Sequence, residues 1–259
     1  MMPPPRTHRF RLILAGVDFS RESAQALRYA VAAAGAAGGR VVAIYAMDPL
    51  LTAAAARAYN EGTIVKEARA DLERFARRTL GADAAKAVEC TIALGPARHV
   101  LIAEALRRHA DLVVVGTTGR SGISKTFFGS TTEALLRRYA GAVMVVPPRC
   151  RRPPAGWPNG SLAAAIANTP DRRATLSAAV RAAAVFGGAL TVVDPPVRTG
   201  RARWRPAPLL LLPVPRETRL KMFRQGSAAY AFVRRSAVPV IVLHTGRRIG
   251  HVEVGRSAA

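Results

Sequence analysis

Residues 116–133 read GTTGRSGISKTFFGSTTE, between the apolar run LVVVG and the helical run ALLRRYA. These residue types suit phosphate binding. Glycine lets a ligand lie against bare backbone, hydroxyls donate hydrogen bonds, and Arg120 and Lys125 carry positive charge. Gly119 to Thr126, GRSGISKT, comes within one residue of G-x-x-x-x-G-K-[ST], the phosphate loop of many nucleotide hydrolases. Ser124 stands where that loop needs the glycine that turns backbone N–H groups inward. The stretch also follows a fourth strand rather than a first, with no obvious acidic residue downstream for magnesium. A different spacing fits better: Gly116-x2-Gly119-x9-Gly129-Ser130. Gly116 and Gly119 flank the turn that leaves a strand. Gly129-Ser130 opens the next helix, whose first N–H groups attract an anion. Ser130 and Thr131 add hydroxyl donors, and Ser130-x-x-Glu133 has the form of a capping box.

The elements that must position these residues are legible upstream. RLILAGVD (11–18), RVVAIYAMD (40–48), AVECTIALG (87–95), DLVVVG (111–116) and AVMVVP (142–147) are short apolar runs, as buried strands should be. Between them lie helical patterns. Ser20 is placed to cap the first helix and Gly38-Gly39 to stop it. Residues 52–80 read as helical, and 96–110 as a helix with proline in its first turn. Alternating strands and helices imply an α/β fold with a doubly wound, open, parallel five-stranded sheet. Ligands of such sheets bind at the carboxyl ends of the strands, where the strand order reverses. Asp18 ends the first strand and Gly116 the fourth, so neighbouring first and fourth strands would bring both to one crevice.

With these residues in view, G-x2-G-x9-G-[ST] resembles the ATP-binding motif of the universal stress protein family. ILAGVDFS before an alanine-rich helix, GPARHVLIAEALRRHADLVVVGTTGRSG before the loop, and LLRRYAGAVMVVPP after it are similar to that family's opening, approach and close. The resemblance covers residues 9–148 well and 160–244 in degraded form. It implies an adenine nucleotide, ATP with or without magnesium, across the ends of strands one, two and four. Asp18 would contact the adenosine part, with Gly16 and Val17 beside it, and Ala46 would line the adenine pocket. Val115, Gly116, Thr118 and Gly119 would follow the ribose and phosphates, and Gly129, Ser130 and Thr131 would hold phosphate oxygens. Thr118 departs from the histidine or arginine often found there.

The remainder reads as a shortened repeat. GSTTEALLRRYAGAVMVV (129–146) falls on GSAAYAFVRRSAVPVIVL (226–243) at an offset of 97. At an offset of 150, AGVDFS falls on AIANTP, and Asn168 stands opposite Asp18. The missing residues correspond to the helix after strand two, the third strand and the next helix. A deletion survives if it removes an edge strand, which implies strand order 3-2-1-4-5. The expected organisation is a nucleotide-binding domain at 1–148, a linker at 149–159 and a truncated, degenerate copy at 160–259. Val143–Val146 would pair with Val240–Leu243 in an internal pseudo-dimer. Pro213 and Arg216 replace Gly116 and Gly119, and proline has no N–H to offer, so the second half is expected not to bind nucleotide.

The chain of 259 residues is half hydrophobic, with a formal net charge of +23 carried mostly by scattered arginines. That charge implies non-specific nucleic-acid binding in vitro, and Trp204 within RARWR (201–205) could stack a base. Two cysteines and five histidines show no metal or redox spacing. LILAGV is too short for a signal peptide or membrane span, so a cytoplasmic location is expected. No poised general base or triad order is visible, so slow ATP hydrolysis is the most catalysis expected. The reading is a nucleotide-binding stress or regulatory protein. Its alternatives are a structural or partner-binding protein of the same fold (a homodimer included), and a basic nucleic-acid-associated protein.

Overall fold

A computed structural model describes residues 10–50, 52, 61–118, 128–158, 160–166, 171–193, 207–215, 219–223 and 227–245. Gly119, Arg120, Lys125, Asn168, Trp204 and Arg216 lie outside the described residues. The first half contains β1 (Leu12–Val17), α1 (Arg21–Ala37), β2 (Arg40–Met47), α2 (Glu61–Leu80), α3 (Ala82–Lys86), β3 (Val88–Leu94), α4 (Ala97–Arg107), β4 (Leu112–Gly116), α5 (Ser130–Arg138) and β5 (Ala142–Val146). The second contains β6 (Ser161–Ala165), α6 (Arg172–Val185), β7 (Ala189–Val193), β8 (Leu210–Val214), α7 (Arg219–Met222), α8 (Ala228–Arg235) and β9 (Val240–His244).

All nine strands form one sheet, in the order β3-β2-β1-β4-β5-β9-β8-β6-β7. The fold is α/β with a mostly parallel sheet. Every neighbouring pair is parallel except β5 and β9, which run antiparallel with Val143 opposite Val242 and Val145 opposite Val240. These central strands are buried on both faces, which explains their unbroken apolar runs. β5 would otherwise be an open edge, and β9 covers it.

One face of the sheet packs against α1, α2 and α6, and the other against α4, α5 and α8. Alanine makes the first contact close. Ala26, Ala30, Ala33, Ala34 and Ala37 line the buried side of α1, so the helix lies low on the strands. Ser20 caps α1, its hydroxyl accepting from Ser23 N–H at 3.1 Å. Gly38 ends α1 with φ of +66°, a left-handed conformation that glycine adopts without a Cβ penalty.

The two halves share pairing geometry. At an offset of 149, Leu12 opposite Arg40 becomes Ser161 opposite Ala189. Gly38 becomes Gly187, also left-handed at +62°. At an offset of 97, Val113 opposite Val143 becomes Leu210 opposite Val240. The first offset corrects the 150 expected from sequence by one residue. The position of Asp18 therefore falls on Ala167, outside the described residues, and not on Asn168. A one-residue shift exchanges the two faces of a strand, and the faces decide it. Ile13 and Leu162 both pack on the α1 side, as offset 149 requires.

The stretch expected to be a linker is anchored at Arg151 and Trp157. Trp157 is buried, its ring edge-on to Tyr29 of α1 at 5.1 Å and near Phe186 at 6.1 Å. Its indole N–H donates to the Pro208 carbonyl at 2.9 Å, and the Tyr29 hydroxyl donates to the Arg151 carbonyl at 3.0 Å.

Candidate functional site

β1 has β2 on one side and β4 on the other, so the chain order reverses beside it. Because all three strands are parallel, their carboxyl ends bring Val17-Asp18, Ala46 and Gly116 to the same rim. Such a reversal leaves a crevice between the loops that depart to opposite faces.

Asp18 is locked into the turn that starts α1. Its Oδ1 accepts from Ser20 N–H at 3.1 Å and from the Ser20 hydroxyl at 2.5 Å, and its own N–H donates to Ser23 Oγ at 3.3 Å. The carboxylate therefore orients the residue that caps the helix. Phe19 follows with φ of +64°, unusual for a bulky side chain. Its ring packs on Tyr45 at 4.6 Å and Phe75 at 5.4 Å, on the face opposite α4. Sequence reading missed this turn, since no residue type in VDFS demands a left-handed phenylalanine.

Gly16 and Gly116 are tight in opposite directions. A Cβ at Gly16 would lie 2.8 Å from Leu101 Cδ1 and 3.2 Å from Val115 Cγ1, on the α4 side. A Cβ at Gly116 would lie 2.9 Å from Glu22 Cβ and 3.3 Å from the Glu22 carbonyl carbon, on the α1 side. Val17 and Val115 are buried, whereas Gly16, Asp18, Ala46, Gly116 and Thr118 are half-buried.

Two hydrogen bonds latch the exit of β4 to the entry of α5. Gly129 N–H donates to the Thr117 carbonyl at 2.7 Å, and the Thr132 hydroxyl donates to the Gly116 carbonyl at 2.7 Å. They hold the exit of β4 and the entry of α5 against each other. Thr117 is 1% exposed, and its hydroxyl has no hydrogen-bond partner among the described residues. The helix begins one residue earlier than the capping-box reading requires. Gly129 is the N-cap and Ser130 the first helical residue, so Glu133 is not drawn back to a cap. Its carboxylate pairs with Arg137 at 3.0 Å instead. Ser130 is exposed and Thr131 half-buried at the positive end of the helix. Thr117 and Thr132 were not singled out from the sequence; their place in the hydroxyl-rich stretch was the available signal.

The second half has different residues at each of these points. Pro213 occupies the position of Gly116, Val214 that of Thr117 and Ala229 that of Thr132. The latch hydroxyl and the orphaned hydroxyl are both gone, and Pro213 lacks an N–H. Ser227 caps α8, accepting from Tyr230 N–H at 3.2 Å.

No helix among the described residues is long and apolar enough to cross a membrane. No group of three or more His, Cys, Asp or Glu among them could hold a metal ion.

No curated protein matches the chain. Among solved structures, a universal stress protein from Archaeoglobus fulgidus is 14% identical, covering 92% of this chain and 98% of its own, with a TM-score of 0.60. A putative universal stress protein from Pseudomonas aeruginosa is 15% identical, covering 92% and 95%, with a TM-score of 0.58. These likenesses show that the fold extends over both halves. A universal stress protein solved in complex with cAMP is 24% identical over 53% of this chain and 97% of its own, with a TM-score of 0.39. The sequence profile of the Universal stress protein family matches residues 9–147, more than half of the chain. The chain belongs to the universal stress protein family.

Proposed function

We propose that the chain binds an adenine nucleotide, ATP, at one site at the carboxyl ends of β1, β2 and β4, and serves as a stress-response or regulatory protein. The observation that carries this reading is the latched loop. Gly116 and the N-terminus of α5 meet through Thr117–Gly129 and Thr132–Gly116, so bare backbone and helix N–H groups converge. The fit to a phosphate chain has one further support: the buried Thr117 hydroxyl has no partner among the described residues, and a ligand or water would supply one.

In this reading Asp18, flanked by Gly16 and Val17, contacts the adenosine part, and Ala46 lines the base pocket. Val115, Gly116, Thr118 and Gly119 follow the ribose and phosphates, and Gly129, Ser130 and Thr131 hold phosphate oxygens. Magnesium, if carried, would ride on the phosphates rather than on a protein carboxylate cluster. Nucleotide occupancy would order the loop and so signal, with slow hydrolysis at most. The second half (160–259) is a degenerate copy of the first (1–148), shortened by 52 residues and joined through 149–159. It covers β5 and does not bind nucleotide in this manner.

The test is equilibrium titration of nucleotide-free protein with ATP, ADP, AMP and cyclic nucleotides, together with identification of any small molecule released on denaturation. The expected result is saturable adenine-nucleotide binding that folded Gly116→Val and Asp18→Ala variants weaken about tenfold or more. No released nucleotide and no binding would overturn the proposal.

A further inference from the structure

The second half reaches into the glycine loop of the first. α8 carries Tyr230 where α5 carries Glu133, at the offset of 97. The Tyr230 ring lies 4.3 Å from that of Phe128, tilted by 57°. The Tyr230 hydroxyl accepts a hydrogen bond from the Phe128 N–H. Both residues are buried, 3% and 5% exposed. Phe128 immediately precedes Gly129, the residue latched to Thr117. The loop's far end is therefore held from both sides, by β4 of its own half and by α8 of the other. Glu133, the counterpart of Tyr230, spends its carboxylate on Arg137 of its own helix.

We infer that Tyr230 is a positioning residue of the nucleotide site: the second half, which has lost the residues for its own site, fixes the phosphate limb of the first. This rests on the nucleotide reading above. Tyr230 stands beside Phe128 and the N-terminus of α5, the end where the reading above places the phosphates. Its removal orphans a buried backbone N–H and releases the residue before Gly129, so the loop end loses its fixed place. The grip on phosphates falls while the grip on adenosine stays.

The experiment uses the full chain, nucleotide-free, and compares ATP with adenosine in the wild type and in Tyr230→Phe. The phenylalanine keeps the ring contact and removes only the acceptor. ATP affinity is expected to fall roughly tenfold, from the loss of one buried hydrogen bond, with adenosine affinity unchanged within about twofold. Amide hydrogen exchange at Phe128 should quicken in the unliganded variant. An unchanged ratio of ATP to adenosine affinity in a folded Tyr230→Phe variant overturns the inference, as does an equal loss for both ligands. A wild-type chain that binds neither ligand refutes the nucleotide reading itself. Exchange at Phe128 then decides separately whether Tyr230 holds the loop end, and unaltered exchange refutes that as well.

Discussion

Replacing Gly116 by alanine adds a single methyl group at the point where β4 and α1 come closest. The new Cβ would sit 2.9 Å from Glu22 Cβ and 3.3 and 3.4 Å from the Glu22 carbonyl carbon and oxygen. Carbon atoms in contact stand about 3.5–4.0 Å apart, so roughly half an ångström must be found. Two of the three obstructing atoms are backbone, and no rotamer change removes them. α1 cannot easily retreat, because its alanines seat it on the sheet and Ser20 ties its start to Asp18. Overpacking of this kind costs about 1–3 kcal/mol. For a chain of this size that lowers the melting temperature by about 2–12 °C. Thermal unfolding followed by far-ultraviolet circular dichroism reads the effect. Gly35→Ala is the internal control: Gly35 lies within α1, an added Cβ meets nothing within 4 Å, and helix propensity favours the change by about 0.5–1 kcal/mol. A Gly116→Ala variant that melts at or above the wild-type temperature would refute the close-approach reasoning.

Other perturbations test other parts of the account. Val145 is fully buried opposite Val240, so Val145→Asp places an unpaired charge at the junction of the halves; loss of about 3 kcal/mol or more, or insolubility, is expected, and wild-type urea unfolding would contradict it. Glu89 and Glu104 are held below the ordinary carboxylate range, chiefly by hydrogen bonds from Arg108 and Arg107 respectively. Their contribution is complete above the unfolded carboxylate pKa and is lost as pH falls through the lowered folded values. Arg108→Met should therefore reduce stability at neutral pH and flatten its decline in acid, as melting curves at successive pH values would show. Burial pushes the Cys150 thiol up to about 12, so iodoacetamide at pH 8 should leave it unmodified in folded protein and label it in denaturant; rapid labelling of the folded chain would count against this.

Much of the fold around the candidate site could be read from sequence because it is made of local features. Ser20 caps α1 and Gly38 stops it, as residue type and spacing imply. The strand runs are contiguous because most strands are covered on both faces. The expectation of a repeat rested on GS…RR, and the strand registers differ from its first offset by one residue. Alanine-rich helices carry little information about phase, and Gly38–Gly187 and the strand register supply it. Ser130 looked like a cap because the motif S-x-x-E is local, whereas the latch from Gly129 to Thr117 depends on how β4 meets α5. Tyr230 lies 102 positions from Phe128, and only the fold brings them together. The substitution of Glu133 by Tyr230 in the repeat alignment was its one sequence signal.

The central claim is one nucleotide site per chain, built by the first half. The most direct measurement is a titration of nucleotide-free, isotope-labelled protein with ATP, reading stoichiometry and backbone amide shifts together. The account predicts one equivalent per chain, with the largest shifts at Gly116, Thr117, Gly129 and Ser130 and little change at Val214 and Ser227. Two equivalents per chain, or shifts centred on Val214 and Ser227, would contradict it.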